Sequence, residues 1–281
     1  MLCAHPATAR PAAALVVHPQ DDWAGSQIER YEGGPAITRD ESVDPGPGVV
    51  AGLDPADPFD PAPVTRPGAQ PAAQPRPSGL DVSSHQGNVN WSAVRRAKAS
   101  FAYVKATEST TYVNPYFKQQ YNGAYGIGLV RGAYHFATPN TSTGAAQATY
   151  FVAHGGGWSN DGRTLPPALD LEYNPYGQQC YGMSQAALGA WVRQFVDTVH
   201  ARTSRWPAIY TSTSWWSLCL GKNASFSKDP LWIARYNKTL GGLPPGWRTW
   251  AIWQFADSGT FPGDQDTLNG TMDQLRALAH G

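Results

Sequence analysis

Short β-rich runs alternate with helical stretches from Gly79 onward, and this alternation restricts the fold more than any other feature of the chain. Seven runs have the length and residue types of strands: 79–82, 101–106, 129–137, 168–172, 208–212, 231–235 and 250–255. Helical patterns separate them at 91–99, 115–125, 144–154 and 184–202. Strands that alternate with helices are typical of a mainly parallel sheet, so the sequence predicts an α/β fold.

The segment 184–202 has the clearest helical period. Apolar residues recur at i, i+3, i+4, i+7 and i+11, at Leu188, Trp191, Val192, Phe195 and Val199. This spacing predicts a helix that buries one face, with Ser184 as its N-cap.

The last part of the chain is less regular. After Leu231 there is no long helical pattern before residues 272–279. A complete barrel of eight strand–helix units is therefore not expected. We predict an irregular, modified TIM-like β/α barrel with fewer helices in its C-terminal part.

The first 77 residues differ in composition from the rest. They hold 14 of the 24 prolines but only Trp23, Tyr31 and Phe59 among the aromatic residues. Such a segment cannot bury a core of its own, so we expect residues 1–77 to be a disordered acidic leader that ends in the Pro/Ala/Gln-rich linker 67–77. Residues 78–281 then form one folded domain.

The two segments also carry opposite net charges. Residues 1–77 contain 10 acidic and 5 basic side chains, whereas residues 78–281 contain 11 acidic and 16 basic ones, which gives −5 and +5. A positive domain attracts polyanionic partners, although a surplus of this size is also common on ordinary surfaces. The basic residues are scattered, so nucleic acid is not an expected partner.

Two carboxylates, Asp170 and Glu172, stand two residues apart in the β-rich run 168–172. Side chains of a strand alternate between its faces, so both acids share one face while Leu169 and Leu171 share the other. Neighbouring, partly desolvated carboxylates raise each other's pKa, as a general acid requires. An isolated D-x-E can also lie on the solvated face of an edge strand. Residues at the ends of the other strands help to distinguish a catalytic pair from a solvated one. His135, Arg235, Tyr236 and Gln254 also lie near strand ends, where barrel active sites are built.

The chain has three cysteines, of which Cys180 and Cys219 are in the predicted domain. Their spacing matches no common metal site, which favours a disulfide over two buried thiols. A disulfide implies an oxidising compartment. The apolar run at 12–17 is shorter than a secretory signal requires, so there is no clear signal peptide. No stretch approaches 18 apolar residues, so a membrane partner is not expected.

Six blocks resemble glycoside hydrolase family 25, the Chalaropsis-type N-acetylmuramidases. They are GLDVSSHQG at 79–87, FAYVKATE at 101–108, RGAYHF at 131–136, ALDLE at 168–172, LWIARY at 231–236 and WQF at 253–255, and the likeness continues to Asp266. The resemblance covers essentially all of residues 78–281 and implies an irregular β/α barrel.

The resemblance also implies an activity: a secreted, antimicrobial lysozyme. Such an enzyme cleaves the β-1,4 bond between N-acetylmuramic acid and N-acetylglucosamine in peptidoglycan strands, with retention at the anomeric carbon and help from the substrate's N-acetyl group. A covalent intermediate on the aspartate is the mechanistic alternative. The implied enzyme is an extracellular monomer that needs no cofactor and no metal.

The resemblance further assigns roles to individual residues. Glu172 matches the general acid/base and Asp170 its partner, while Asp81 and Asp266 match two further carboxylates of the cleft. The substrate-binding residues would be Tyr134, Trp253, Tyr236, Trp232 and Glu108.

Two positions depart from the family pattern. Ser109 stands where members commonly carry glycine, and Asp264 precedes Asp266 by two residues, so the choice between these two acids stays open. Two other functions are weighed against the lysozyme. A chitinase-like hydrolase can use a D-x-E strand end, but the longer D-x-x-D-x-D-x-E run is absent. A wall-binding barrel without activity would not need four carboxylates.

Overall fold

The structure is a computed structural model that describes residues 23–32 and 75–281. The expectations for the apolar run 12–17 and for most of the linker 67–77 fall outside the described residues. Within the described ranges, no helix has the length and apolar character needed to cross a membrane.

The centre of the fold is a closed barrel of eight strands with one additional strand at its rim. In chain order the strands are β1 (Ser78–Val82), β2 (Phe101–Glu108), β3 (Tyr112–Val113), β4 (Val130–Phe136), β5 (Ala168–Asp170), β6 (Ala208–Thr211), β7 (Leu231–Ala234), β8 (Ile252–Ala256) and β9 (Asp264–Leu268). The sheet order is β1-β9-β8-β7-β6-β5-β4-β2-β3, and pairing of β1 with β2 closes the barrel. The α/β barrel predicted from the sequence is confirmed.

Seven helices accompany these strands in the described ranges. They are α1 (Ser26–Glu32), α2 (Trp91–Arg96), α3 (Phe117–Gly126), α4 (Gly144–Ala153), α5 (Gln185–Thr203), α6 (Thr213–Cys219) and α7 (Met272–His280). Between β7 and α7 the described chain contains no helix, so the C-terminal part has fewer helices, as the sequence predicts.

Helix α5 follows its predicted pattern. The apolar stripe from Leu188 to Val199 is buried in the main hydrophobic core. The hydroxyl of Ser184 accepts a hydrogen bond from the backbone N–H of Ala187 at 3.3 Å, which caps the helix.

Strand β9 is the main element that the sequence reasoning missed. It runs antiparallel to both neighbours, β1 and β8, and so makes the barrel mixed rather than parallel. Its sequence, DQDTL, has too few apolar residues to be recognised as a strand, because two of its five side chains are buried acids. The strand β1 and the strand that contains Asp266 are therefore neighbours in one sheet.

Helix α1 lies within the segment that was expected to be disordered. Residues 26–32 are helical, and Ala24 and Ile28 join the main hydrophobic core. The expectation therefore fails for this part of the leader. The physical reason is that these residues pack against the barrel instead of forming a core of their own.

Cys180 and Cys219 form the disulfide that the sequence favoured, with 5.3 Å between their Cα atoms. The bond ties the loop after β5 to the last residue of α6. It closes a loop of 39 residues, which by the chain-entropy relation stabilises the fold by about 4 kcal/mol.

Ser109 has a backbone conformation that favours glycine. Its backbone has φ of 51°, in the left-handed region that glycine adopts without steric cost. Here the serine hydroxyl hydrogen-bonds to the hydroxyl of Thr141 at 2.8 Å, which anchors the turn after β2.

Candidate active site

Asp170 and Glu172 lie at the carboxyl end of β5, where the barrel opens. Asp170 is the last residue of β5, and Glu172 lies two residues beyond it. Leu169 and Leu171 are buried in the hydrophobic core, so the two acids point to the opposite side, as the alternation predicts. Glu172 is 0% exposed and Asp170 is 1% exposed.

The environment of Glu172 keeps its proton near neutral pH. Burial raises the pKa of this carboxyl to about 8, against the opposing effect of three backbone N–H groups, which come from Gly25, Gln27 and Ile28. A carboxylic acid that holds its proton near pH 7 can protonate a leaving oxygen, which is what a general acid must do.

Asp170 has a different environment. Burial, and then the nearby charge of Glu172, raise its pKa well above the usual range, while the ammonium of Lys105 acts in the opposite direction. Neither oxygen of Asp170 accepts a hydrogen bond from the described residues. A buried carboxylate without a donor has unused capacity to accept one from a ligand.

Three further acids meet where β1 lies beside β9. Asp81 on β1 is directly opposite Asp264 in the sheet register, and Asp266 is two residues further along β9 on the same face. Burial raises the pKa of Asp81 to about 7. Burial and the charge of Asp81 raise the pKa of Asp264 and of Asp266. The sequence could not choose between Asp264 and Asp266, and the structure brings both against Asp81.

Gln254 on β8 connects this acidic group to two tyrosines. Its amide nitrogen donates to Asp81 at 2.8 Å and to Asp264 at 3.1 Å. Its amide oxygen accepts from the hydroxyls of Tyr210 and Tyr236, both at 2.7 Å. The sequence indicated Tyr236 but missed Tyr210, which lies in β6 with only ordinary strand neighbours.

Trp232 on β7 forms an aromatic wall beside the acids. Its indole N–H donates to Asp266 at 2.9 Å. Its ring stacks on Tyr103 at 4.6 Å and meets Tyr210 edge to face at 4.8 Å. The ring of Tyr134 lies 6.3 Å away. Trp232 and Tyr134, both predicted for the site, therefore lie together on one side of it.

Glu108 forms a buried ion pair at the end of β2. Its carboxylate lies 2.7 Å from the ammonium of Lys105, and it also accepts a hydrogen bond from the hydroxyl of Tyr176. The charge of Lys105 reaches the two acids of β5, where it opposes the rise in pKa of both. The sequence signal for this ion pair is a lysine inside an otherwise apolar strand.

Trp253 lies away from the acids. It was expected to contact the sugar, but it packs in a separate cluster with Leu231 and Trp250, on the face of β8 opposite Gln254. Its indole N–H donates to the backbone carbonyl of Arg235 at 2.8 Å. The alternation of side chains along β8 explains the error, since Trp253 and Gln254 are consecutive and only one can face the site.

His135 has a structural role. Its two ring nitrogens hydrogen-bond to Thr107 at 2.8 Å and to Gln147 at 3.0 Å, and burial lowers its pKa to about 3. In residues 23–32 and 75–281, no group of three or more His, Cys, Asp or Glu side chains has the arrangement of a metal site.

The segment before and at the start of α1 occupies the space in front of Glu172. The backbone N–H of Gly25 donates to Oε1 of Glu172 at 2.7 Å, and those of Gln27 and Ile28 donate to Oε2 at 2.9 and 3.2 Å. Sequence reasoning gave no sign of these contacts, because none of the three depends on a side chain of the segment.

Comparisons with known proteins find relatives of this chain. The sequence profile of Glycosyl hydrolases family 25 matches residues 80–264. The N,O-diacetylmuramidase of Chalaropsis sp is 48% identical over 208 residues, which are 72% of this chain and 99% of that protein. Lysozyme M1 of Streptomyces globisporus is 46% identical over 208 residues, 72% of this chain and 71% of that protein.

Solved structures give the same result. The muramidase from Acremonium alcalophilum is 50% identical, with a TM-score of 0.72, and the match covers 73% of this chain and 100% of that one. The matched length is close to that of residues 75–281, which contain the barrel.

Proposed function

The chain belongs to glycosyl hydrolase family 25, and on this basis we propose that it is a lysozyme that cleaves the β-1,4 bond between N-acetylmuramic acid and N-acetylglucosamine in peptidoglycan. The observation that carries the proposal is the pair of buried acids at the end of β5. Two carboxyl groups beside one bond are the minimum equipment for hydrolysing a glycoside.

Glu172 acts as the general acid and then as the general base. Its raised pKa supplies the proton that the leaving glycosidic oxygen needs when the bond to the anomeric carbon breaks. The carboxylate left behind then takes a proton from the water that attacks this carbon. The two steps return Glu172 to its protonated form.

Asp170 acts through the N-acetyl group of the substrate. Its two oxygens accept no hydrogen bond from the described residues, so they can accept one from the N–H of that group. This interaction orients the acetyl oxygen toward the anomeric carbon and stabilises the positive charge that develops when the oxygen attacks. Attack by this oxygen and then by water inverts the carbon twice, so the product keeps the original configuration.

The remaining predicted residues bind the glycan. Asp81, Asp266 and Asp264 accept hydrogen bonds from sugar hydroxyls, while Trp232 and Tyr134 provide an apolar surface for sugar rings. Tyr236 and Gln254 hold Asp81 and Asp264 in position. Glu108, paired with Lys105, sets the charge beside the acids of β5.

The enzyme acts outside the cytosol as a monomer. The disulfide between Cys180 and Cys219 is of the kind that persists in oxidising compartments. One chain supplies every residue assigned to the cleft, so the mechanism requires no second subunit.

A comparison of two substrates tests the function. Release of reducing ends is measured on purified peptidoglycan and on chitin oligomers, with Glu172→Gln as the inactive control. We expect hydrolysis of peptidoglycan at a much higher rate than of chitin. Faster hydrolysis of chitin would favour the chitinase-like enzyme, and wall binding without new reducing ends would favour a non-catalytic barrel. For the stereochemistry, NMR of the fresh product should show the β anomer first, and initial α product would refute retention.

A further inference from the structure

The leader places a short segment, Trp23–Glu32, over the carboxyl ends of the barrel strands. Residues 24–28 are buried, with Ala24 at 0% and Ile28 at 1% exposure, whereas Glu29, Arg30 and Tyr31 face outward. A segment of ten residues with this few apolar side chains cannot be stable alone. Its order therefore depends on the surface that it covers.

The segment uses the general acid of the proposed mechanism as its anchor. Three backbone N–H groups, from Gly25, Gln27 and Ile28, donate to the two oxygens of Glu172. The three groups can only donate, and they oppose, without outweighing, the effect of burial on the pKa of Glu172. Both oxygens of Glu172 are therefore occupied by the segment, so neither can approach a glycosidic oxygen while the segment is docked.

Other contacts extend across the rest of the cleft. The backbone N–H of Ala24 donates to the hydroxyl of Tyr134 at 3.3 Å, and its carbonyl accepts from the amide of Gln254 at 3.2 Å. Trp23 meets the ring of His85 at 4.4 Å. The segment thus contacts side chains that the proposed function assigns to the glycan or to the support of its acids.

The far end of the segment is also held. The ring of Tyr31 lies 4.7 Å from that of Tyr173. The carboxylate of Glu32 accepts hydrogen bonds from the hydroxyls of Tyr173, at 3.1 Å, and of Ser212. Contacts from the ends of β4, β5, β6 and β8 therefore converge on ten consecutive residues.

Gly25 fits closely at the centre of this contact. Its backbone has φ of 94°, and a Cβ atom there would lie 2.0 Å from the hydroxyl of Tyr236 and 2.7 Å from Oε1 of Gln254. Any other residue would meet both the steric barrier of the left-handed conformation and this clash. The segment is matched to the cleft by its backbone and not only by its apolar side chains.

We propose that Trp23–Glu32 is an inhibitory segment that occupies the substrate cleft and lowers the rate of hydrolysis until it is withdrawn. This inference rests on the proposed function, because it assigns the blocked cleft to the glycan. The segment lies outside residues 80–264, which match the family, so the inhibition is a property added to the barrel by this chain. Residues 33–74 connect the segment to the barrel. Cleavage of the backbone there would make the segment a separate ligand, which dissociates on dilution.

Substitutions in the full-length chain test the proposal without touching the catalytic residues. Gly25→Leu and Ile28→Asn each disfavour the docked segment, the first by the clash and the second by burying an amide in place of an apolar side chain. Arg30→Asn is the matched control, since it puts the same amide on the exposed face of α1. Reducing-end release from peptidoglycan and hydrogen exchange at the amides of residues 25, 27 and 28 are measured for all four proteins.

We expect Gly25→Leu and Ile28→Asn to hydrolyse peptidoglycan about tenfold faster or more than the wild type, since the rate follows the fraction of open cleft. Their three amides should exchange faster, while Arg30→Asn should behave as the wild type. Equal, measurable rates in all four proteins would overturn the inhibition and leave the proposed function standing. Absence of hydrolysis in all four, with fast exchange in the two variants, would overturn the proposed function and the inhibition with it.

Discussion

Replacement of Glu172 by glutamine should affect both the chemistry and the inhibitory segment. The amide has nearly the same shape as the carboxyl group but cannot donate a proton to a leaving oxygen. Loss of a general acid typically lowers the rate by about 10²- to 10⁴-fold. This corresponds to roughly 3–5 kcal/mol of lost transition-state stabilisation.

The same substitution weakens docking by an amount that follows from the hydrogen bonds. Glu172 accepts one N–H at Oε1 and two at Oε2. Glutamine keeps one acceptor oxygen, so its NH₂ group must face at least one of these N–H groups. An unpaired buried donor costs about 1–3 kcal/mol. Since each 1.4 kcal/mol is a factor of ten, the amides of residues 25, 27 and 28 should exchange about 5- to 150-fold faster.

Two assays separate these effects. Reducing-end release is measured for Glu172→Gln combined with Ile28→Asn, against Ile28→Asn alone, so that the segment does not mask the chemistry. Hydrogen exchange is measured for Glu172→Gln in the otherwise native chain. Glu29→Gln, on the exposed face of α1, is the control for replacing a carboxyl group by an amide. An unchanged hydrolysis rate would refute the role of Glu172 as the acid, and unchanged exchange would refute its role as the anchor.

Three further predictions concern Asp170, the pH dependence and the disulfide. Asp170→Asn should lower reducing-end release by at least tenfold without loss of thermal stability, because a neutral amide suits a buried site whose carboxyl pKa is raised; a full rate would contradict its role. The raised pKa of about 7 at Asp81 means that the native state binds more protons than the unfolded chain, so the free energy of unfolding should fall from about pH 4 to pH 7. Urea unfolding should show a smaller fall in Asp81→Asn, and an equal fall would contradict the assignment. Replacing Cys180 and Cys219 by serine should cost about 4 kcal/mol in the same assay, and an unchanged midpoint would be inconsistent with the bond.

The sequence predicted the strands whose apolar character matches their burial. β2 and β4 have buried side chains throughout and were recognised from composition. β9 was missed because Asp264 and Asp266 are strand residues that face other acids. These acids become buried only when the site is assembled, so the residue pattern of one strand does not predict their burial.

The sequence predicted only part of the candidate site. Asp170 and Glu172 were found from their position on a strand, whereas Asp81 and Trp232 came from the resemblance. Trp253 also came from the resemblance, and the register of β8 puts it on the face opposite Gln254. A one-residue difference in register moves a side chain to the opposite face of the sheet.

Helix α1 was beyond sequence reasoning. Its composition is that of a segment without a core, and its main contacts are backbone N–H groups, which every residue except proline possesses. Only the arrangement of the cleft makes Gly25 and its neighbours a ligand for Glu172. Composition thus predicted correctly that the segment has no core of its own. It could not predict that Ala24 and Ile28 pack into the core of the barrel.

In the proposed function, Asp170 and Glu172 hydrolyse the bond on the reducing side of N-acetylmuramic acid. The most direct test is mass spectrometry of the muropeptides that the enzyme releases from purified peptidoglycan, with Ile28→Asn used beside the wild type to give an open cleft. After borohydride reduction, we expect reduced muramic acid at the new end of each fragment. Reduced glucosamine at that end would contradict it, because the cut would then lie at the other bond of the glycan.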